Sequence, residues 1–106
     1  MVSSKRRVLL SEVVGYLLAN PARSAIIEHL LDKRSAIAEQ SLAEGALAIL
    51  ARRKWKTDLK EVQAQLACLH SAGLIRPLAK GDMLLYQITK LGVEAGERLF
   101  APEVKQ

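Results

Sequence analysis

The chain has 106 residues, half of them apolar and only 4% aromatic, which suits one aliphatic core and leaves little material for a second domain. Its formal net charge of +5 is uneven: Met1 to Lys56 holds ten Lys/Arg against five Asp/Glu, whereas Thr57 to Gln106 is balanced at six of each. That half-chain excess suits a polyanionic partner, while the single cysteine, Cys68, excludes an intrachain disulfide and a cysteine-rich metal site.

Lys5-Arg6-Arg7 precedes an apolar run from Val8 to Ala19, a pattern shared with signal peptides. Glu12 interrupts the run, no small-x-small cleavage pattern follows, and the segment is too short to span a bilayer. The expectation is a soluble helix from Lys5 to Ala19 in a cytoplasmic protein without membrane contact. Leu10, Val13, Val14, Leu17 and Leu18 form its apolar stripe, and Leu9 and Tyr16 widen it. Asn20-Pro21 ends this helix, because the residue before proline is pushed out of the helical region. A second helix, about Ala22 to Lys33, turns Ile26, Ile27, Leu30 and Leu31 inward, and His29 beside them reads as a structural histidine. Ser35-Ala36-Ile37 fits either a short strand or a connection.

Ser41-Leu42-Ala43-Glu44 has the form of a capping box and predicts a helix from Ser41 to about Arg52, with Gly45 as a weak point or a place where another backbone approaches closely. After Arg52-Arg53-Lys54-Trp55-Lys56, a second capping box at Asp58-Leu59-Lys60-Glu61 opens a helix over 58–72 whose buried stripe is Leu59, Val62, Leu66 and Leu69. Gly73 supplies the left-handed residue that ends it. Leu74-Ile75 and Leu84 to Ile88 have strand character and are joined across Ala79-Lys80-Gly81-Asp82. Thr89 caps a last helix from Lys90 to about Phe100, and residues 101–106 form a fraying tail. Helix, hairpin, helix is the back half of a winged helix-turn-helix. The fold class expected is therefore mainly α with a small β-hairpin wing (α+β), in one domain over 1–106: an extra N-terminal helix at 1–20, a winged-helix core at 22–100, and the tail.

Val62 to Ile75, ending Leu69-His70-Ser71-Ala72-Gly73-Leu74-Ile75, resembles the recognition helix of bacterial ArsR/MarR-type winged-helix regulators. Tyr86-Gln87-Ile88-Thr89-Lys90-Leu91-Gly92 is similar to that family's final wing strand and closing helix. The pattern from Arg23 to Lys105 looks most like small ArsR-like proteins of Mu-like phages and prophages. The resemblance implies transcriptional regulation through DNA binding, with pairing through the terminal helices. It does not imply metal sensing, because only Cys68 stands where such sensors carry several cysteines.

The residues themselves point the same way. With the apolar stripe of helix 58–72 buried, Lys60 and Ala64 face outward, flanked by Gln63 and Gln65. Glutamine can fork onto adenine, lysine favours guanine or phosphate, and alanine can meet a thymine methyl. Arg52, Arg53, Lys54, Lys56 and Thr57 stand at the start of that helix, where positive charge and free amides favour phosphate. Arg76 and Lys80 offer wing contacts. Trp55 is expected to pack its ring over the core edge, with base stacking the less favoured use. Leu9, Leu10, Val13, Val14, Tyr16, Leu17, Leu18 and Leu99 are the expected dimer interface.

No nucleophile stands with a base at a recognisable spacing, and there is no glycine-rich phosphate loop, so the expectation is a non-enzyme without cofactor or metal. The function expected is a homodimeric regulator bound to duplex DNA. The rival is a winged-helix protein-interaction module, favoured by Ala64 where the family often has arginine.

Overall fold

The computed structural model describes the backbone over residues 2–100 and the side chains over residues 10–100. The elements run α1 (Val2–Leu18), α2 (Pro21–Lys33), β1 (Ile37–Ala38), α3 (Glu39–Arg52), α4 (Leu59–Ser71), β2 (Ile75–Lys80), β3 (Met83–Ile88) and α5 (Lys90–Phe100). The strands form an antiparallel sheet in the order β1-β3-β2.

Asn20-Pro21 both stops one helix and starts the next. Asn20 is extended (φ −144°, ψ 116°), and its Oδ1 accepts from the Ala22 amide at 2.9 Å. Pro21 then fills the first helical position, where a missing N–H costs nothing. α2 is packed by α1, α3, α4, α5 and β3, and Ala22, Ala25, Ile26, Ile27 and Leu30 are all buried. Close approach to it depends on small residues. A Cβ on Gly96 would stand 2.6 Å from Leu31 Cδ1 and 2.8 Å from Ile27 Cγ2. A Cβ on Gly45 would overlap the His29 imidazole, 2.7 Å from its Cδ2. What Gly45 admits is thus the His29 side chain and not, as expected, another backbone.

Several boundaries differ from those the residue pattern predicts. α3 opens at Glu39 and not at Ser41, with Ala38 at the cap and no side-chain cap bond. The cause is β1: Ala38 is extended and paired with Leu85, so the helix starts as soon as the strand ends. Ser41 then lies inside the first turn, and Glu44 accepts from Gln40 Nε2 at 3.1 Å. The hairpin strands are longer than predicted and leave a two-residue turn at Gly81-Asp82, with Gly81 at φ 63°. Gly73 is left-handed as expected, at φ 80°, and the Thr89 hydroxyl caps α5 by accepting from Gly92 N at 3.1 Å. Leu17, assigned to a dimer interface, is 0% exposed within the monomer core, because α1 packs on both α2 and α5. The tail at 101–106 lies outside the described residues.

Two outcomes follow from the His29–Gly45 contact. Gly45→Ala should destabilise the protein by about 1–3 kcal/mol through overpacking. In a His29→Ala background the same change should stabilise by about 0.5–1 kcal/mol through helix propensity. Chemical denaturation of the four proteins of this cycle measures both signs. Desolvation by burial, then the Lys33 charge, lowers the His29 pKa, with Asp32 opposing. The folded value therefore lies below the ordinary value of about 6.5. The stability it contributes is present above that pH and lost as pH falls through the folded value. The difference in melting temperature between wild type and His29→Gln should shrink on acidification from pH about 8 to about 5.

Candidate nucleic-acid interface

α4 starts cleanly because Asp58 is extended (φ −131°, ψ 173°) and its carboxylate accepts from the Glu61 amide at 2.9 Å. Val62, Leu66 and Leu69 are buried and Leu59 is half-buried against the core. Lys60, Gln63, Ala64, Ala67 and Ser71 are exposed, giving α4 an outer face of small and polar side chains.

Gln65 does not belong to that face, and its assignment as a reading residue is corrected. It is only 8% exposed, and its Oε1 accepts from Arg23 Nε at 2.9 Å while its Nε2 donates to Glu61 Oε2 at 3.1 Å. The spacing Val62, Gln65, Leu69 places it on the inner flank of the helix, a signal available in the sequence. Arg23 was not foreseen at all. Besides Gln65 it donates to the Tyr16 carbonyl at 2.9 Å, and its guanidinium lies over the Tyr16 ring, 3.9 Å from the centroid. One arginine on α2 thereby joins α1 to α4. Burial raises the Tyr16 pKa, against the pull of the Arg23 charge, and Cys68, half-buried, contributes to the same rise.

The basic turn is built on a strained cap. Lys54 N donates to Ala51 O at 3.0 Å and Trp55 N to Leu50 O at 2.9 Å, the bond pair of a Schellman ending. Its left-handed position, φ 62°, is held by Lys54 where glycine is usual, at a cost of about 1–2 kcal/mol. Arg53 Nη2 pairs with Glu28 Oε1 at 2.6 Å, tying the turn to α2. Arg52, Lys54 and Lys56 are exposed, and among the described residues they form no ion pair. Trp55, expected to pack its ring over the core edge, is covered only in part: the chain reverses at Lys54, the Trp55 amide is tied back to α3 through Leu50, and the residue is 50% exposed. Thr57 is half-buried before the Asp58 cap.

On the wing, Arg76 donates from Nε and Nη2 to Gln87 Oε1 at 3.0 and 2.8 Å, across the register pair Arg76↔Gln87. Lys80 is exposed beside the turn. Leu78, Met83 and Leu84 are exposed too, and of these only Leu84 falls within the shorter strands predicted from sequence. Of the remaining α1 and α5 residues assigned to an interface, Leu10, Val13, Val14, Tyr16 and Leu99 are half-buried against the core, Leu18 is 63% exposed, and the Leu9 side chain lies outside the described residues. Among the described residues no group of three His, Cys, Asp or Glu could hold a metal ion, and no helix is long and apolar enough to cross a membrane.

No protein-family model and no curated protein sequence matches the chain. Among solved structures it is similar to the homodimeric winged helix-turn-helix DNA-binding domain of a possible ArsR-family transcriptional regulator from Mycobacterium bovis, a solution NMR structure. Identity is 24%, the match covers 96% of this chain and 94% of that one, and the TM-score is 0.56. The element order, the hairpin and this likeness together give the fold: a winged helix-turn-helix, α+β, with α3 and α4 as the helix-turn-helix and β2–β3 as the wing.

Proposed function

We propose that this chain is a transcriptional regulator of prokaryotic or phage origin that binds duplex DNA as a homodimer, in the cytoplasm, as one domain and without catalysis or cofactor. The observation that carries this reading is the outer face of α4, exposed from Lys60 to Ser71, with exposed cations at its N-terminal end. Such a face can enter a major groove. Gln63 and Lys60 reach base edges there, and Ala64 is small enough to meet a thymine methyl. Arg52, Lys54, Lys56 and Thr57 hold phosphates on one side, and Arg76 and Lys80 hold the backbone beside the wing. Arg53 and Gln65 act from behind, the first by securing the turn to Glu28 and the second by setting the angle of α4 through Arg23.

Pairing is assigned to α1 with help from α5. Leu18 is the most exposed large apolar residue of the described chain, Phe100 is exposed, and Leu10, Val13, Val14 and Leu99 are half covered. The homodimeric state of the M. bovis domain supports pairing as such, and its DNA-binding role supports the groove reading. Two symmetric copies would set their α4 helices about 34 Å apart, one turn of DNA. A second reading, a protein-interaction module, draws on the exposed Leu78, Met83 and Leu84, since a wing that only met phosphates would have no use for them.

Affinity for random duplex should fall about a thousandfold between roughly 50 and 200 mM salt, the slope for about six neutralised phosphates. Fluorescence anisotropy of labelled duplex measures it, and a folded protein that ignores DNA at the lower salt would favour the interaction module. Lys56→Ala should weaken every sequence alike, while Gln63→Ala should cost roughly 1–3 kcal/mol only at the base it reads. Equal losses on specific and random DNA for both variants would remove the division of labour. Sedimentation should show a dimer at tens of micromolar that Leu18→Glu dissociates with the helical circular dichroism intact; a wild type that sediments as a monomer would count against pairing.

A further inference from the structure

Resting on the DNA reading above, we propose that Trp55 is itself a DNA contact: its indole lies against deoxyribose at the edge of the groove that α4 enters, and its Nε1–H donates to a phosphate oxygen. The chain has one tryptophan and few other aromatics, and its core is aliphatic. A folded chain normally uses its largest apolar side chain inside. Here that side chain is half exposed, at the centre of the turn between the two helices of the helix-turn-helix.

The turn does not hold Trp55 loosely. Its amide is bonded to Leu50 O at 2.9 Å, and the preceding Lys54 is kept left-handed at φ 62°. Arg53, one residue further back, is anchored to Glu28. The amide bond and the left-handed Lys54 thus fix where the side chain leaves the backbone, and half of the residue's surface stays open to solvent. Strain of this kind persists where the surrounding structure enforces it, and it concentrates at functional sites.

The neighbours select the occupant. Arg52, Lys54 and Lys56 stand around Trp55, exposed and without ion pairs among the described residues, so whatever covers the indole must tolerate concentrated positive charge. A sugar–phosphate backbone does so and matches the side chain atom for atom in type: an apolar ring face for deoxyribose and one N–H donor for phosphate. A contact of this kind carries no sequence information and adds affinity on every duplex.

Because Trp55 is the sole tryptophan, its emission reports this position alone. The full chain is titrated with mixed-sequence duplex, reading anisotropy of labelled DNA and tryptophan emission in parallel. The expected result is an emission change that saturates together with the anisotropy. Trp55→Ala should bind all duplexes about tenfold more weakly, and Trp55→Phe, which keeps a ring and loses the donor, should fall between. Binding by anisotropy with unchanged emission, and full affinity in Trp55→Ala, would overturn the Trp55 contact and leave the DNA reading standing. No anisotropy change at low salt would overturn both. A single strand that binds more tightly and shifts the emission further than duplex would overturn the groove-edge placement in favour of base stacking.

Discussion

The structure depends on α2 being enclosed on nearly every side. A chain of this length has few ways to bury apolar surface, and here it does so by wrapping four helices and β3 around one short helix. That enclosure needs neighbours without bulk: Gly45 lets α3 approach over His29, and Gly96 lets α5 approach over Ile27 and Leu31. Ala22 and Ala25 serve the same end from α2 itself. Close-packed interiors leave no slack for a methyl group at such points, so the positions of α3 and α5 are set by residues that have almost no side chain.

The polar residues of α2 extend the same control to the candidate interface. Arg23, at its first turn, reaches Gln65 in the middle of α4 and the carbonyl of Tyr16 on α1. Glu28, further along, holds Arg53 in the turn before α4. One helix thus secures the helix-turn-helix at two places, one partly buried and one exposed. The partly buried link contributes more to orientation, since its hydrogen bonds are shielded from water, whereas an exposed ion pair contributes little. The Arg23 link also connects α1, the proposed pairing helix, to α4, the proposed groove-facing helix.

Charge is distributed with similar economy. Of the run from Arg52 to Lys56, Arg53 is engaged internally and three cations remain exposed at the start of α4. The left-handed Lys54 places one of these cations where glycine would hold the backbone without strain. The wing is less strongly committed to charge: Arg76 is bonded to Gln87, and Leu78, Met83 and Leu84 share its surface with Lys80.

Local chemistry made much of this legible in the residues. Asn20-Pro21, Asp58, Gly73 and Thr89 mark helix ends because each acts on its own backbone, and the stripe Val62, Leu66, Leu69 marks the buried face of α4 through helical period alone. The order of elements, and with it the winged helix-turn-helix, follows from those signals. What only the tertiary structure decided are the places where distant segments compete for the same residue. Ser41 makes a good cap in isolation, but pairing of Ala38 with Leu85 starts α3 earlier. Helical period puts Gln65 on the inner flank of α4, but its partner there, Arg23, is 42 residues away and is supplied only by the packing of α2. Leu17 would suit an interface, but α2 and α5 bury it within the monomer, while Trp55, next to the reversal at Lys54, keeps half of its surface exposed. Capping and period act over a few residues and are written locally, whereas burial is a property of the whole packed chain.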